Sequence, residues 1–395
     1  MIHLNPSLLF VALGLLFPIV SQAYQPDGWT YSSGDYLWSE RNQTWVWLGS
    51  WDHYAHDFSR NRWINQRNGR VQGWKFYDWP YFWSDSRQAW FFVARPGKEA
   101  WVNRSDTNGW SRWGVPGGFR LIPGGDFRMG YNFAQVDSDE HPVHTVEVSA
   151  FYLMATEVTN REWTLVRNWG LNNGYPDLPA KNTAEPAHPV HSVTWYEAAK
   201  WCNAASEFVG LEPVYRDPNQ GNAVYRTGQI DPSWKNGANG YRLPTEAEWE
   251  KAARGGDDGE RFPFGNAIAH SLANYEAFPT QVPYDVNPNQ GFHPNYSSGT
   301  RPHTSPVASF PSNDYDLFDM TGNVQEWTWD WFDENYYARS PAKDPRGPNQ
   351  PSFRIPRGGS WTDGAQAARS ASRQATPGSV SSDDIGFRVA LTPPN

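Results

Sequence analysis

The stretch with the clearest chemical character runs from Asp319 to Glu326, where two carboxylates flank the turn Thr321-Gly322-Asn323. Glycine adopts positive φ angles without steric cost and asparagine tolerates them, so the backbone can bend here and turn its carbonyls inward. Carboxylate and carbonyl oxygens are the ligands that hard cations such as calcium prefer. The alternative interpretation is a turn before a strand with two solvated acids, because this spacing matches no diagnostic ligand motif.

The chain contains a series of short motifs: PGGDFRMG at 123–130, EVTN at 157–160, VTWYEA at 193–198, YRLPTEAEWE at 241–250, SPV at 305–307, GNVQEW at 322–327, RGGSW at 357–361 and GFR at 386–388. In this order they resemble the signature of the formylglycine-generating enzyme family, whose members are also called sulfatase-modifying factors. Each motif alone is weak, but their order is specific. The resemblance implies an α+β fold of the C-type-lectin-like kind with little regular secondary structure, preceded by a small all-β region of aromatic repeats.

The same resemblance implies a structural calcium ion in the stretch described first. Its ligands would be the side chains of Asp319 and Glu326 with the carbonyls of Gly322 and Val324.

A further calcium site of the family uses an Asn side chain, the next carbonyl and a later Asp. Asn274 and Tyr275 match the first pair, but Ser298 and Gly299 stand where the Asp is expected. The resemblance therefore leaves this site incomplete.

The family's oxidase chemistry depends on two cysteines after the Gly-Gly-Ser motif, which bind copper as thiolates because Cu(I) is a soft ion. Here Asp363 stands at the first of these positions, and the single cysteine of the chain, Cys202, lies far upstream. Ser360 is retained, whereas Gln325 replaces the Trp that usually precedes Glu326. We therefore expect neither copper binding nor formylglycine generation by the known mechanism.

The resemblance also places a candidate pocket around these substituted positions. An aspartate and an arginine together can bind a polar ligand, although such pairs are more often surface ion pairs. The candidate pocket residues are Ser360, Trp361, Asp363, Gln325 and Arg373.

Three Ser/Thr-x-x-Glu capping boxes predict the starts of three helices. On the middle helix the apolar residues, Cys202 among them, share one face at helical spacing, and Gly210 gives a stop signal. Cys202 is therefore interpreted as a small buried side chain and not as a reactive thiol. The capping pairs are Thr159 with Glu162, Thr194 with Glu197, and Thr245 with Glu248.

Three other segments of this domain have a recognisable pattern. Residues 119–130 alternate around Pro-Gly-Gly, which predicts a hairpin with an irregular loop. Residues 143–148 alternate and predict a strand. Residues 255–312 are rich in Gly, Pro, Asn and Ser and predict a long loop that must be functional or fixed by contacts.

The beginning of the chain predicts export. The first 23 residues contain no Lys, Arg, Asp or Glu, residues 8–20 are apolar, and Ser21-Gln-Ala23 fits a signal-peptidase site. No later apolar stretch is long enough for a membrane helix. The expected organisation is a signal peptide at 1–23, a Trp-rich repeat region at 24–114 and the sulfatase-modifying-factor-like domain at 115–393, in a secreted or periplasmic protein.

Residues 24–114 hold 13 of the 23 tryptophans and repeat themselves at an offset of 45. Segments such as 45–47 and 90–92 predict short strands, and a repeat of strands needs neighbours to bury a face. Exposed aromatic rings would stack on sugars and bind a glycan or a cell-envelope component. The alternative is that the rings form the core of the repeat.

The net charge of the chain argues against one class of function. The net charge of −9 argues against a nucleic-acid-binding protein. The first interpretation is a secreted binding protein for a glycan, peptide or surface partner. The alternatives are an enzyme with a different, possibly oxidative, chemistry in the same pocket and a structural protein of the envelope. The missing cysteines favour the non-enzymatic interpretations.

Overall fold

The structure is a computed structural model of the chain. It describes residues 118–131, 137–181, 184–349 and 352–393, together with the backbone of ten strands between residues 29 and 113. The chain forms two compact units, Met1–Gly117 and Gly118–Asn395. The predicted signal peptide lies outside the described residues.

Ten short strands of the first unit form two antiparallel sheets, in which each strand pairs with its neighbours along the chain. The first sheet contains β1 (Trp29–Ser33), β2 (Tyr36–Ser39), β3 (Thr44–Leu48), β4 (Tyr54–Asp57) and β5 (Arg62–Asn65). The second contains β6 (Trp74–Asp78), β7 (Tyr81–Ser84), β8 (Ala89–Arg95), β9 (Glu99–Asn103) and β10 (Trp110–Trp113).

The strand pairing in these sheets follows the offset of 45 seen in the sequence. Trp38 lies opposite Trp45 in the first sheet, and Trp83 lies opposite Trp90 in the second. The segments predicted as strands, 45–47 and 90–92, lie within β3 and β8. Whether the rings form a core or face solvent concerns side chains outside the described part of the chain.

The second unit combines small sheets with short helices. Its strands are β11 (Phe119–Ile122), β12 (Gly125–Met129), β13 (His144–Val148), β14 (Phe151–Met154), β15 (Tyr215–Asp217), β16 (Ala223–Val224), β17 (Ser233–Trp234), β18 (Gln325–Trp331), β19 (Arg354–Arg357), β20 (Ile385–Gly386) and β21 (Ala390–Leu391). They form sheets in the orders β11-β14-β21, β12-β13, β16-β15-β17 and β19-β18-β20. The helices are α1 (Asn160–Gly170), α2 (Trp195–Phe208) and α3 (Glu246–Ala253), with 3-10 turns at Ser138–Glu140, Pro218–Gln220 and Tyr336–Arg339. This confirms the expected α+β class with little regular secondary structure.

Each helix starts at its predicted capping box. At α2 the Thr194 hydroxyl accepts from the Glu197 amide at 3.1 Å, and the Glu197 carboxylate accepts from the Thr194 amide at 3.0 Å. The other two helices carry the same reciprocal pair. Cys202 is fully buried on α2, as predicted, and the helix ends before Gly210, whose φ is +77°.

The predicted hairpin over residues 119–130 is wrong. β11 pairs with β14, whereas β12 pairs with β13, so the two segments belong to different sheets. Residues 123–124 separate the two strands, but pairing with distant strands lets Ile122 and Phe127 bury their side chains in one core. The strand predicted at 143–148 is present as β13.

Among the described residues, two clusters of apolar side chains contribute to the interior of the second unit. The larger one joins strands β11 to β14 with Trp249 of α3 and with Leu317 and Met320, which precede β18. The smaller one packs side chains of the long segment 255–312 against Ala365 and Ala368. The predicted loop, which has turns and single bridges only, is therefore fixed by its own core.

Within the described part of the chain, no helix combines the length and apolar character needed to cross a membrane.

Candidate functional site

Glu326, a predicted calcium ligand, is enclosed at the start of β18. Arg388 donates to its two carboxylate oxygens from Nε and Nη2, each at 2.6 Å, and Trp249 Nε1 donates to Oε2 at 2.7 Å. Arg388 is 0% and Glu326 1% exposed. Both carboxylate oxygens are therefore engaged by protein donors, and the implied role of Glu326 as a cation ligand does not fit this geometry.

Asp319 faces a different carboxylate, that of Glu157. Asp319 Oδ2 accepts from the Ala308 amide at 2.6 Å, and Glu157 Oε1 accepts from Asn323 Nδ2 at 2.9 Å. The second oxygens, Asp319 Oδ1 and Glu157 Oε2, are buried without a partner, as is the hydroxyl of Thr321. Burial raises the pKa of Asp319 to about 6 and that of Glu157 well above its usual value, and the charge of Asp319 adds to the upward shift of the Glu157 pKa.

These unpartnered oxygens indicate whether a calcium ion would fit at this place. Three buried carboxylates, those of Glu157, Asp319 and Glu326, lie around one guanidinium, that of Arg388. Either a proton shared between Glu157 and Asp319 or a bound cation would satisfy the free oxygens. A cation therefore fits the cluster if Glu157, in place of Glu326, is the carboxylate ligand beside Asp319. Among the described residues, no group of three or more His, Cys, Asp or Glu side chains is arranged to hold a metal by itself, so backbone oxygens such as those of Gly322 and Val324 would have to contribute.

Asn274 and Tyr275, the candidates for the other calcium site, serve as anchors of the long loop. Asn274 Nδ2 donates to the His303 carbonyl at 2.8 Å, and the Asn274 carbonyl accepts from the Asn323 amide at 2.8 Å. The Tyr275 carbonyl is bonded to His270 Nε2 at 3.0 Å. The carbonyl that was expected to bind a cation is thus engaged within the protein.

The candidate pocket lies where the first residue of β18, Gln325, contacts residues 360–363. Asp363 Oδ2 accepts from Ser360 Oγ at 2.7 Å and from Gln325 Nε2 at 2.8 Å. Ser360 is fully buried, Gln325 is 4% exposed and Asp363 is half-buried. Burial raises the pKa of the Asp363 carboxyl, and the charge of Asp384 adds to this shift. The structure thus brings together three of the predicted pocket residues.

Trp361 supplies an aromatic wall beside this carboxylate. Its ring lies 5.6 Å from that of Phe292 and 5.2 Å from that of His303, measured between centroids. The exposed guanidinium of Arg301 lies 5.3 Å from the Trp361 ring and 5.4 Å from the Phe292 ring. Glu276 is held next to the pocket, because its amide donates to the Asp363 carbonyl at 3.0 Å.

Arg373, the fifth candidate pocket residue, does not pair with Asp363. Its Nε and Nη2 donate to the two oxygens of Glu246 on α3, at 2.7 and 3.0 Å, and its Nη1 donates to the Asp139 carbonyl. The guanidinium is buried and stacked 4.4 Å from the centroid of Tyr337. Arg373 is therefore not a pocket residue, because its guanidinium is engaged in a buried bidentate ion pair with Glu246 and cannot donate to a ligand beside Ser360.

Comparison with known proteins identifies the family of the second unit. The model of the sulfatase-modifying factor enzyme 1-like domain matches residues 116–393. The chain belongs to this sulfatase-modifying factor family. Among its relatives, the formylglycine-generating enzyme of Streptomyces coelicolor is 32% identical over 288 residues, which cover 68% of this chain and 87% of the relative. The inactive C-alpha-formylglycine-generating enzyme 2 of Bos taurus is 29% identical over 289 residues, covering 68% and 86%.

Solved structures show the same fold. Treponema denticola variable protein 1 superposes with a TM-score of 0.54 at 27% identity, over 77% of this chain and 98% of that chain. CarF superposes with a TM-score of 0.50 at 26% identity, over 70% and 98%. The family model confirms the resemblance to the sulfatase-modifying factor family that the motifs indicated.

The copper chemistry implied for the family does not fit this member. Asp363 stands where the first thiolate is expected, and Cys202 is enclosed in α2. Burial raises the pKa of the Cys202 thiol well above its usual value, so the thiolate that binds copper or attacks a substrate is disfavoured.

Sequence reasoning missed several residues that shape these sites. Glu157 and Arg388 lie in motifs typical of the family, so their positions were visible but their pairing was not. Trp249 was likewise within a motif. Glu276 and Asp384 carry no sequence signal, because only the packing of the long loop and of β20 brings them to the pocket.

Proposed function

We propose that this protein is a binding protein that holds a glycan, a peptide or a surface partner in the pocket beside Ser360 and does not generate formylglycine. The observation that carries the proposal is Asp363, a carboxylate at the family's thiolate position, which is fixed by Ser360 and Gln325. A buried hydroxyl and a buried amide that orient one half-exposed carboxylate form a recognition group and not a copper site. The name of the Bos taurus relative, an inactive enzyme, agrees with a family member that has lost this activity.

Two measurements test the proposal. Incubation of copper-treated protein with a sulfatase-derived cysteine peptide should give no aldehyde by mass spectrometry, because two accessible thiolates are needed and the chain has one buried thiol. Glycan and peptide arrays probed with the wild-type protein should give reproducible signals that the Asp363→Lys variant loses, because the lysine reverses the charge of the pocket.

Both measurements have matched controls. The S. coelicolor relative is the positive control for the aldehyde, and Asp257→Lys, an exposed aspartate outside the pocket, is the control for the arrays. A mass loss that matches the aldehyde would contradict the non-enzymatic part of the proposal. Array signals unchanged by Asp363→Lys would place binding elsewhere.

We also propose a structural calcium ion at the cluster of Asp319 and Glu157. If calcium binds only the folded state, a hundredfold excess over its dissociation constant stabilises that state by about 2.7 kcal/mol. A chelator should therefore lower the melting temperature by about 5 °C or more. Glu157→Gln should abolish the difference between chelated and calcium-loaded protein.

The exposed Glu147 gives the control, since Glu147→Gln should leave the chelator effect intact. The melting temperature is measured by scanning calorimetry, with the metal content determined by elemental analysis. A wild-type melting temperature that the chelator does not move, in protein free of metal, would mean that Asp319 and Glu157 share a proton instead.

The remaining part of the proposal concerns location and the first unit. We propose that residues 1–23 direct export, that the protein is secreted or periplasmic, and that the Trp-rich sheets contact a glycan or envelope component. The apolar leader and the equivalent tryptophan pairs, Trp38 with Trp45 and Trp83 with Trp90, support this. N-terminal sequencing of the protein from its host tests the export step, because an intact Met1 would exclude cleavage.

A further inference from the structure

The pocket beside Ser360 contains three acidic groups, and the positive charge of Arg301 acts on one of them, Glu276. Asp363, Asp384 and Glu276 form no ion pair among the described residues. They lie close enough for their charges to act on one another, since Asp384 and Glu276 both interact electrostatically with Asp363. The guanidinium of Arg301 is exposed and lies over the aromatic wall.

Two buried oxygens at the same place lack a hydrogen-bond donor. Gln325 is 96% buried, and its Nε2 binds Asp363, which leaves the other atom of the amide, Oε1, without a partner. The backbone carbonyl of Asp384 accepts from the backbone N–H of Gln325 at 2.8 Å. The side-chain oxygen Asp384 Oδ1 is also buried without a donor. An unsatisfied buried acceptor is destabilising, so this arrangement favours a ligand that brings N–H donors.

The aromatic wall supports a cation in particular. The ring faces of Trp361 and Phe292 already receive the guanidinium of Arg301, at 5.3 and 5.4 Å from the ring centroids. Aromatic faces attract cations through their quadrupole, most strongly for Trp. Because Arg301 is exposed, its side chain can move aside while Trp361, which is 1% exposed, stays fixed.

We propose that the pocket binds an organic cation with several N–H donors, a guanidinium or a primary ammonium, through Asp363, Gln325 Oε1 and Asp384 against the Trp361 wall. This inference rests on the proposed function, because it names the chemical class of ligand for the same pocket. A guanidinium or ammonium brings both the positive charge and the donors that the pocket lacks.

Isothermal titration of the full mature chain tests the inference with defined probes. N-acetyl-argininamide and N-acetyl-lysinamide represent a side chain of a partner protein, and agmatine represents a free small cation. N-acetyl-citrullinamide is the neutral isostere of the first probe. We expect at least one cation to bind, and the citrulline compound to bind about tenfold or more weakly, the loss expected for one charge-assisted hydrogen bond.

Two variants locate the site. Asp363→Asn and Asp384→Asn keep the shape of the side chains and remove one charge each, so each should weaken cation binding by about tenfold or more. Asp257→Asn, at an exposed aspartate, should leave it unchanged, and circular dichroism melts show that the variants fold. Binding of agmatine equal to that of the amides identifies a free cation as sufficient, whereas binding of the amides alone identifies a peptide side chain.

The outcomes separate the two proposals. Equal binding of the citrulline and arginine compounds, or cation binding unchanged in both variants, overturns the inference. If the arrays yield a neutral or acidic ligand that Asp363→Lys loses and no cation binds, the inference fails while the proposed function stands. If neither the arrays nor the cations give binding, both fail.

Discussion

Replacing Gly322 by alanine should destabilise the second unit by about 2–5 kcal/mol. Gly322 has a φ of +77°, and a Cβ built on its backbone would lie 2.2 Å from the Asn274 carbonyl oxygen. The same oxygen accepts from the Asn323 amide at 2.8 Å. The methyl group would therefore push apart the turn and the long loop that it anchors.

The consequence extends beyond one contact because the next residue, Asn323, is fully buried and joins three segments. Its Oδ1 accepts from the Ser305 amide at 2.9 Å, and its Nδ2 donates to Glu157. A displaced turn would leave these polar groups unsatisfied in a buried place. Backbone atoms cannot move aside as the end of a flexible side chain can, so we expect Gly322→Ala to lose at least about 2 kcal/mol of stability.

Gly237 provides the matched control for this variant. Its φ of +79° is nearly the same, but a Cβ there meets nothing within 4 Å. Gly237→Ala should cost about 1–2 kcal/mol, which is the strain of the left-handed conformation alone. Denaturant unfolding of both variants gives the difference due to the clash. Equal losses of stability in the two variants would show that the contact with Asn274 is absent.

Replacing Arg388 by methionine should cost about 3–5 kcal/mol of stability, the typical effect of removing one partner of a buried ion pair. Arg388 binds both oxygens of Glu326 and also donates to the carbonyls of Met154 and Phe318, at 3.0 and 2.9 Å. Methionine fills a similar volume but supplies no donor. The Glu326 carboxylate would then be buried without a basic partner, and only Trp249 would donate to it.

A second variant separates loss of the charge from loss of packing. Adding Glu326→Gln to Arg388→Met should recover part of the stability, because the uncompensated buried charge is then removed. Lys343→Ala is the control, since it breaks a surface ion pair of 2.7 Å with side chains 61% and 47% exposed and should not change the unfolding midpoint. If the double variant is no more stable than Arg388→Met, the ion pair is not the cause of the loss.

The starts of the three helices could be predicted because a capping box is a local interaction. Thr194 and Glu197 satisfy each other's amides within one turn, so no other part of the chain has to be known. The burial of Cys202 followed for the same reason, from apolar spacing along one helix. The order of the family motifs likewise determined the α+β fold from the sequence alone.

The strand pairing and the charge pairing were decided only by the tertiary structure. β11 and β12 are separated by two residues, yet each pairs with a strand further along the chain, so the local turn signal did not determine their partners. In the same way, Arg373 is ten residues from Asp363 but binds Glu246, 127 residues away.

The sequence by itself determined the family, the helix starts and the absence of a thiolate pair, since these follow from residue identity and short spacing. The tertiary structure decided which acid meets which base. Glu326 and Asp319 are both acids beside one turn, but Arg388 reaches only the first with its guanidinium, so Asp319 is left to face Glu157. Charges of the same sign are equivalent in a sequence, and only the packing of distant segments gives each a different partner.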